Sequence, residues 1–122
     1  ILGTGGASKA IAYALRSLKI EYDFVSRTGD EFQYKYEELD ASIFEEYTII
    51  INTTPVGTYP NVDDCPNLDY SLFTKKHIAY DLIYNPEETA FLRKAKAQGA
   101  MTKNGYEMLV LQAEKAWKIW NE

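Results

Sequence analysis

The first nine residues of the chain, Ile1 to Lys9 (ILGTGGASK), constrain its fold more than any other stretch. Two apolar residues run directly into a cluster of glycines, and an alanine-rich amphipathic segment follows to about Leu18. A strand, a glycine-rich turn and a helix in this order form the phosphate-binding element of a dinucleotide-binding βαβ unit. The free backbone N–H groups and the dipole at the start of such a helix attract an anion.

The spacing Gly3-x-Gly5-x-x-Ser8 gives each of these three positions a role. Gly3 permits the tight turn, Gly5 lets a pyrophosphate approach the backbone, and Ser8 is small enough for close packing of the helix on the strand. We also expect Ser8 or a neighbour to cap free N–H groups of the helix. Glycine-rich turns also join strands and helices that bind nothing, so the interpretation depends on the rest of the chain.

Residues 21–26 (EYDFVS) have the composition of a second strand, which leads into Ser26, Arg27 and Thr28. An NAD-binding unit usually has an acidic residue here, which holds the ribose 2′-hydroxyl. A guanidinium instead binds a 2′-phosphate through forked, charge-assisted hydrogen bonds, and the two flanking hydroxyls add donors. The pattern therefore favours NADP, and the alternative is an exposed loop arginine that binds no ligand.

The remaining sequence alternates predicted strands and helices. Residues 32–36 have a period of two and follow Arg27 too closely for a crossover helix, which predicts an antiparallel edge strand. Further predicted elements are a helix at 37–47, a strand at 47–52, a loop at 58–75, a strand at 77–84, a helix at 86–98, a strand at 100–103 and a helix at 106–121. Residues 1–122 are thus predicted to form one α/β, Rossmann-type domain, a doubly wound, mostly parallel sheet with helices on both faces.

Three polar residues, Asn52, Thr53 and Thr54, follow the β-branched run YTIIIN at 47–52. Ligands in open α/β sheets bind at the carboxyl ends of the strands. We therefore expect these side chains to face the same crevice as Gly5. Taken alone, such residues would only end a strand and begin a turn.

Composition excludes several classes of function. The net charge of −5 argues against a nucleic-acid or anionic-membrane partner. Cys65 is the only cysteine, so no internal disulfide forms, and no Cys/His spacing suits a metal. No stretch approaches the ~20 apolar residues of a membrane span, and we expect a reducing cytoplasm. The only histidine, His77, begins a strand opposite the ligand edge, which favours a structural or solvent-exposed role over a general acid/base role.

Five motifs together resemble the C-terminal, NADP-binding half of shikimate dehydrogenases, over essentially the whole chain. They are GTGGAS at 3–8, SRT at 26–28, NTTPVG at 52–57, YDLIYNP at 80–86 and KNGYEMLVLQ at 103–112. The chain departs from the family's pattern after the Arg-Thr pair, where a second basic residue is common and this chain has Gly29, Asp30 and Glu31. The strength of its preference for NADP over NAD therefore stays open.

The resemblance implies a role for each matched residue. Residues 5–8 cradle the pyrophosphate, Arg27 and Thr28 bind the 2′-phosphate, and Thr53 and Thr54 line the ribose–nicotinamide side. Leu82 packs by the nicotinamide and Gly105 contacts that end of the ring, while Tyr84 and Gln112 reach the hydroxyls or carboxylate of shikimate. With the residues singled out above, the expected cofactor-binding set is Gly3, Gly5, Gly6, Ala7, Ser8, Ser26, Arg27, Thr28, Asn52, Thr53, Thr54, Leu82 and Gly105.

The activity implied by the resemblance is the NADP-dependent reduction of 3-dehydroshikimate to shikimate, in the biosynthesis of chorismate and the aromatic amino acids. In the family, a Lys and an Asp of an N-terminal domain transfer the proton, and no residue of this chain matches them. We therefore expect no catalytic residue here and no turnover by this domain alone. A quinate/shikimate-type dehydrogenase and a non-catalytic NADP-binding module are the alternatives.

Overall fold

The computed structural model describes residues 1–29, 33–107, 111 and 114. In chain order, its helices and strands are α1 (Gly6–Ser17), β1 (Phe24–Ser26), β2 (Gln33–Lys35), α2 (Ala41–Glu46), β3 (Ile49–Asn52), β4 (Ile78–Asp81), α3 (Ala90–Ala97) and β5 (Met101–Lys103). Short 3₁₀ turns cover Tyr36–Glu38 and Tyr70–Leu72. Each strand expected after the glycine turn is present, in a form shorter than predicted.

The described strands form a parallel sheet in the order β2-β1-Leu2-β3-β4-β5. Leu2 joins its two parts, because it makes parallel bridges to Val25 of β1 and to Asn52 of β3. With Leu2 counted as the first strand, the order across the sheet is 3-2-1-4-5-6, and its direction reverses between Leu2 and β3. Right-handed crossovers from this point place α1 and α3 on opposite faces. The predicted doubly wound α/β fold is confirmed.

The predicted direction of the edge strand was wrong. β2 pairs with β1 in parallel, with Phe24 opposite Gln33 and Ser26 opposite Lys35. A three-residue strand rises only about 10 Å, and the six residues at 27–32 can span about 20 Å when extended. The chain can therefore return to the start of a new parallel strand without a crossover helix. The usual crossover of a dozen or more residues is needed between strands of ordinary length.

Two helices begin later than the sequence pattern indicated. α3 begins at Ala90 and not near residue 86, because the Thr89 hydroxyl caps it by accepting a hydrogen bond from Leu92 N at 3.2 Å. The helix predicted at 37–47 is divided, since Asp40 caps α2 through Ile43 N at 3.0 Å. Of the helix predicted at 106–121, residues 106, 107, 111 and 114 are helical, and the others lie outside the described residues.

Three buried phenylalanines form the centre of the core. Phe44 of α2 packs edge-on against Phe73 with ring centroids 5.2 Å apart, and Phe73 packs against Phe91 of α3 at 6.1 Å. Edge-to-face pairs of this kind add to the stabilisation from burial alone. The same cluster includes Leu2, Val25, Ile50, Ala79, Leu92 and Ala95.

His77 links this core to the loop before β4, as the predicted structural role requires. Its ring is 4% exposed; Nδ1 accepts a hydrogen bond from Thr74 N at 2.9 Å, and Nε2 lies 2.6 Å from the Phe44 carbonyl oxygen. Because Nδ1 accepts, Nε2 carries the proton and donates to that carbonyl. The ring is therefore held as a neutral tautomer between two backbone groups.

We predict that His77→Leu lowers the free energy of unfolding by about 2–4 kcal/mol, because it leaves a buried carbonyl and an amide without partners. His77→Gln, which keeps a donor and an acceptor, should cost less. Urea denaturation followed by circular dichroism measures both changes. Equal losses in the two variants would mean that packing, and not hydrogen bonding, is the role of the ring.

Candidate nucleotide-binding site

The glycine turn lies where the direction of the strand order reverses. Gly3 N donates to Val25 O at 2.8 Å, and its φ of +106° is a conformation that favours glycine. A Cβ at Gly3 would lie 2.7 Å from Thr53 Oγ1 and 3.0 Å from Thr54 Cγ2. The turn therefore packs directly on the loop after β3, and the predicted role of Gly3 in a tight turn is confirmed.

The start of α1 is open to solvent. An added Cβ at Gly5 or Gly6 would have no described heavy atom within 4 Å, and residues 4–7 are all exposed. Gly5 is the N-cap, no described side chain caps the helix, and its first turn contains no acidic residue. The backbone N–H groups there have no intrahelical acceptor, and together with the helix dipole they make this end suitable for an anion.

Ser8 packs as predicted but does not cap. Its side chain is buried at 1% exposure, which agrees with close approach of α1 to the sheet. The hydroxyl donates to the Gly5 carbonyl at 2.6 Å, and no described side chain caps the helix, so the expected capping of N–H groups by Ser8 or a neighbour was wrong. A hydroxyl in the third position of a helix can bond back to a preceding carbonyl, and this leaves the helix N–H groups free.

The turn after β1 presents Arg27 and Thr28, both of which are exposed. Ser26 is engaged beneath them: its hydroxyl accepts from Gly29 N at 2.8 Å and donates to Gln33 Oε1 at 3.0 Å. Of the three polar residues expected at this position, Ser26 thus holds the turn, while Arg27 and Thr28 are accessible to a ligand.

The polar residues after β3 likewise include one that supports the loop and two that are accessible to a ligand. Asn52 is fully buried; its amide donates to Asp81 Oδ1 at 3.2 Å, and its Oδ1 accepts from Thr54 N at 3.0 Å and Thr54 Oγ1 at 2.7 Å. Thr53 donates to the Leu2 carbonyl at 2.6 Å. Thr53 and Thr54 remain partly exposed at the edge, and Asn52 lies below them within the protein.

Asp81 lies at the same edge of the sheet, and the sequence pattern did not predict its role. It is fully buried and accepts hydrogen bonds from Thr89 Oγ1 at 2.7 Å, Ile83 N at 3.1 Å and Asn52. Burial raises the pKa of this carboxyl, and the three hydrogen bonds only partly oppose the increase. The sequence does contain one signal for a buried polar network at this place, namely a single acidic residue at the end of an otherwise apolar strand.

The far side of the edge is formed by two loops in backbone contact. Leu82 N donates to Asn52 O at 3.1 Å, and Gly105 N donates to Ile83 O at 3.1 Å. A Cβ at Gly105 would overlap the Leu82 carbonyl, so glycine is required there. Tyr84 is 50% exposed beside them, and Gln112 lies outside the described residues.

The carboxyl edge thus carries one continuous row of turns and loops: the Arg27 turn, the glycine turn, the loop after β3, and the loops after β4 and β5.

A cavity of about 210 Å³ lies away from this row and has a mainly apolar lining that includes Leu15, Tyr22, Ile43, Tyr47 and Ile49. The described residues contain no cluster of metal-binding side chains. Within the same residues, no helix is long and apolar enough to cross a membrane.

No family model matches the chain. Among curated proteins, it is 33% identical to the NADP(+) shikimate dehydrogenase of Desulforamulus reducens and 38% identical to that of Caldicellulosiruptor saccharolyticus, each over 98% of this chain. The chain spans about half the length of these relatives, 47% and 48% respectively.

Solved structures give the same result. Shikimate dehydrogenase from Aquifex aeolicus matches 98% of this chain and 46% of its own, with a TM-score of 0.83 and 34% identity. The Thermus thermophilus enzyme in complex with NADP(H) and shikimate matches 98% of this chain and 47% of its own, with a TM-score of 0.80 and 32% identity. The chain is homologous to the C-terminal half of shikimate dehydrogenases.

The similarity also extends to a related dehydrogenase. Quinate dehydrogenase from Corynebacterium glutamicum in complex with NAD matches 96% of this chain and 47% of its own, with a TM-score of 0.72 and 27% identity. The shikimate dehydrogenase resemblance predicted from the five motifs is confirmed. The assignment of individual residues of this chain to cofactor binding stays a prediction.

We predict that Asp81 makes the domain less stable as pH rises. Its folded-state pKa is raised, so the folded chain binds this proton more tightly than the unfolded chain does. The stabilisation is complete below the unfolded pKa of about 3.9 and is lost as pH rises through the folded value. Relative to wild type, Asp81→Asn should gain stability as pH increases, on top of a constant offset from its altered bond to Thr89.

A matched control should show the opposite trend. Hydrogen bonds from Ser42 and Ile43 lower the pKa of the exposed Asp40 carboxyl, so its stabilisation is present at neutral pH and lost in acid. Relative to wild type, Asp40→Asn should therefore lose stability as pH increases. Urea unfolding between pH 3.5 and 7 measures both variants, and curves for Asp81→Asn that run parallel to wild type would contradict the prediction.

Proposed function

We propose that the chain is the NADP-binding domain of a shikimate dehydrogenase, which reduces 3-dehydroshikimate to shikimate in aromatic amino acid biosynthesis. The observation that carries the proposal is the uncapped, exposed start of α1 at the reversal of the strand order, with Arg27 on the neighbouring turn. The homology to shikimate dehydrogenases supports the choice of reaction.

The residues present fit NADP along the whole carboxyl edge. The open backbone over Gly5 and Gly6 is accessible to a pyrophosphate, since no side chain of the described residues fills that space. Arg27 and Thr28 are exposed where a 2′-phosphate would be bound. Thr53 and Thr54 would line the ribose and nicotinamide, and Leu82 and Gly105 would lie at the nicotinamide end.

In this proposal the bound cofactor supplies the hydride, and the chain's own residues hold and orient it. Tyr84 is exposed beside the nicotinamide end, where its phenol can hydrogen-bond a polyol substrate. Gln112 is proposed for the same role. The relatives are about twice as long as this chain, and we assign the proton-transferring Lys and Asp to their additional domain. The 122-residue chain should therefore bind cofactor without turnover.

A quinate-type dehydrogenase is the second candidate, because a quinate dehydrogenase solved with NAD shares the fold. The two functions share the glycine turn and differ in substrate. Activity of the intact enzyme with shikimate and with quinate as alternative substrates distinguishes them. A higher kcat/KM for quinate would favour the second candidate.

We predict that the chain binds NADP⁺ more tightly than NAD⁺ and that Arg27→Ala sharply reduces the difference. Charge-assisted hydrogen bonds contribute roughly 1.5–3 kcal/mol, which corresponds to about a tenfold to hundredfold loss of NADP⁺ affinity. Isothermal titration calorimetry measures both cofactors. Arg16→Ala is the control, since Arg16 lies in the last turn of α1, away from the carboxyl edge. Equal wild-type affinities would mean that Arg27 is only a surface charge.

We also predict that Gly5→Ala weakens the binding of NADP⁺ and leaves the stability of the domain almost unchanged. The added methyl group has open space and an ordinary φ of −80°, so unfolding should change by about 1 kcal/mol or less. The same group would obstruct a pyrophosphate, and affinity for NADP⁺ should fall more than about tenfold. Thermal denaturation and calorimetry give the two quantities. Undiminished binding by Gly5→Ala would place the pyrophosphate elsewhere.

A further inference from the structure

Lys35 lies at the carboxyl edge of the sheet, beside the turn that carries Arg27. It is the last residue of β2 and pairs in register with Ser26, the last residue of β1. Because the two strands are parallel, both end at the edge where the glycine turn lies. The short return between the strands brings this lysine next to the turn.

The side chain of Lys35 lies along Gly29. Gly29 has a φ of +64°, and a Cβ built there would be 2.5 Å from Lys35 Cγ and 3.4 Å from Lys35 Cε. The Ser26 hydroxyl holds Gly29 in this position through its bond to Gly29 N. The ammonium group, one bond beyond Cε, is therefore close to a turn whose Arg27 is only two residues from Gly29.

A second observation places Arg27 at the same end of β2. Tyr36, directly after Lys35, is half-buried, and burial raises the pKa of its phenol while the positive charge of Arg27 partly opposes the increase. Arg27 is thus near enough to the end of β2 to act on the neighbour of Lys35. Arg27 on the turn after β1 and Lys35 at the end of β2 are thus two exposed cations at the same part of the carboxyl edge.

We propose that Lys35 and Arg27 together bind the 2′-phosphate of NADP, which makes Lys35 a specificity-determining residue. The inference rests on the proposed function and adds a residue to its cofactor site. A phosphate monoester carries about −1.5 to −2 charges at pH 7, more than one guanidinium neutralises. The sequence after Thr28 continues with Gly29, Asp30 and Glu31, so a second cation comes from elsewhere in the chain.

One acidic residue of the described part of the chain, Glu38, contacts Lys35 through its backbone. Glu38 Oε1 accepts a hydrogen bond from the backbone N–H of Lys35 at 2.8 Å. The ion pairs recorded within the described residues are Lys96–Glu88 and Lys103–Glu107, and neither includes Lys35 or Arg27. Glu38 therefore hydrogen-bonds to the backbone of Lys35, and no ion pair between their side chains is recorded within the described residues.

The test compares ligands that differ in the 2′-phosphate. Calorimetry with the 122-residue chain measures NADP⁺ against NAD⁺, and 2′,5′-ADP against 5′-AMP, for wild type and Lys35→Met. Methionine keeps an unbranched apolar stem over Gly29 and removes the charge. We expect NADP⁺ and 2′,5′-ADP to bind about fivefold to twentyfold more weakly, with NAD⁺ and 5′-AMP changed less than about twofold. Lys35→Arg should retain the preference for NADP⁺.

Lys75→Met is a matched control. Lys75 is also exposed and its Cγ lies 3.2 Å from a Cβ built at Gly99, a glycine with a φ of +97°. It precedes β4 and therefore lies at the opposite edge of the parallel sheet. This variant should bind all four ligands as wild type does.

The outcomes separate the inference from the proposed function. An unchanged preference for NADP⁺ in Lys35→Met, with the preference lost in Arg27→Ala, overturns the role of Lys35 and leaves the proposed function intact. Equal weakening of NADP⁺ and NAD⁺ also overturns it, since Lys35 would then support the turn alone. If the folded wild-type chain binds no NADP⁺, both proposals fail.

Discussion

The pairing of Leu2 with strands on both sides is the interaction on which the rest of the structure depends. Leu2 N donates to Ile51 O at 2.7 Å, Thr53 N donates to Leu2 O at 2.9 Å, and Val25 N donates to Ile1 O at 2.8 Å. These bonds join the two parts of the sheet into one. They also fix the point from which the glycine turn leaves the sheet, and hence the position of α1 relative to the neighbouring loops.

A buried polar network gives the same edge its rigidity. Asp81 connects Asn52 of β3 with Thr89, the cap of α3, and Asn52 in turn holds Thr54. Satisfied networks of this kind are costly to disturb, because each unpaired member would be a buried polar group. The polar residues at this edge therefore have two different roles. Some hold the loops in place, and Arg27, Thr28, Thr53 and Thr54 remain at the surface.

The sequence predicted the features that depend on local pattern. The glycine turn, the positions of the strands and the structural role of His77 each follow from a few neighbouring residues. The direction of β2 could not be predicted in this way, because it depends on which residues of another strand it pairs with. The roles of Asp81 and Lys35 could not be predicted from the sequence for the same reason. They depend on contacts with Thr89 and with Gly29, which form only in the folded chain.

The two outer strands of the described sheet have a consequence for the behaviour of the protein in concentrated solution. β2 and β5 are three residues long, and each ends in a lysine, Lys35 and Lys103. An exposed strand edge is a template on which another chain can add, and shortness and lysine both oppose such addition. A neighbouring molecule can therefore pair with only three strand residues at either edge of this sheet. This short edge protects the protein from forming intermolecular β-structure.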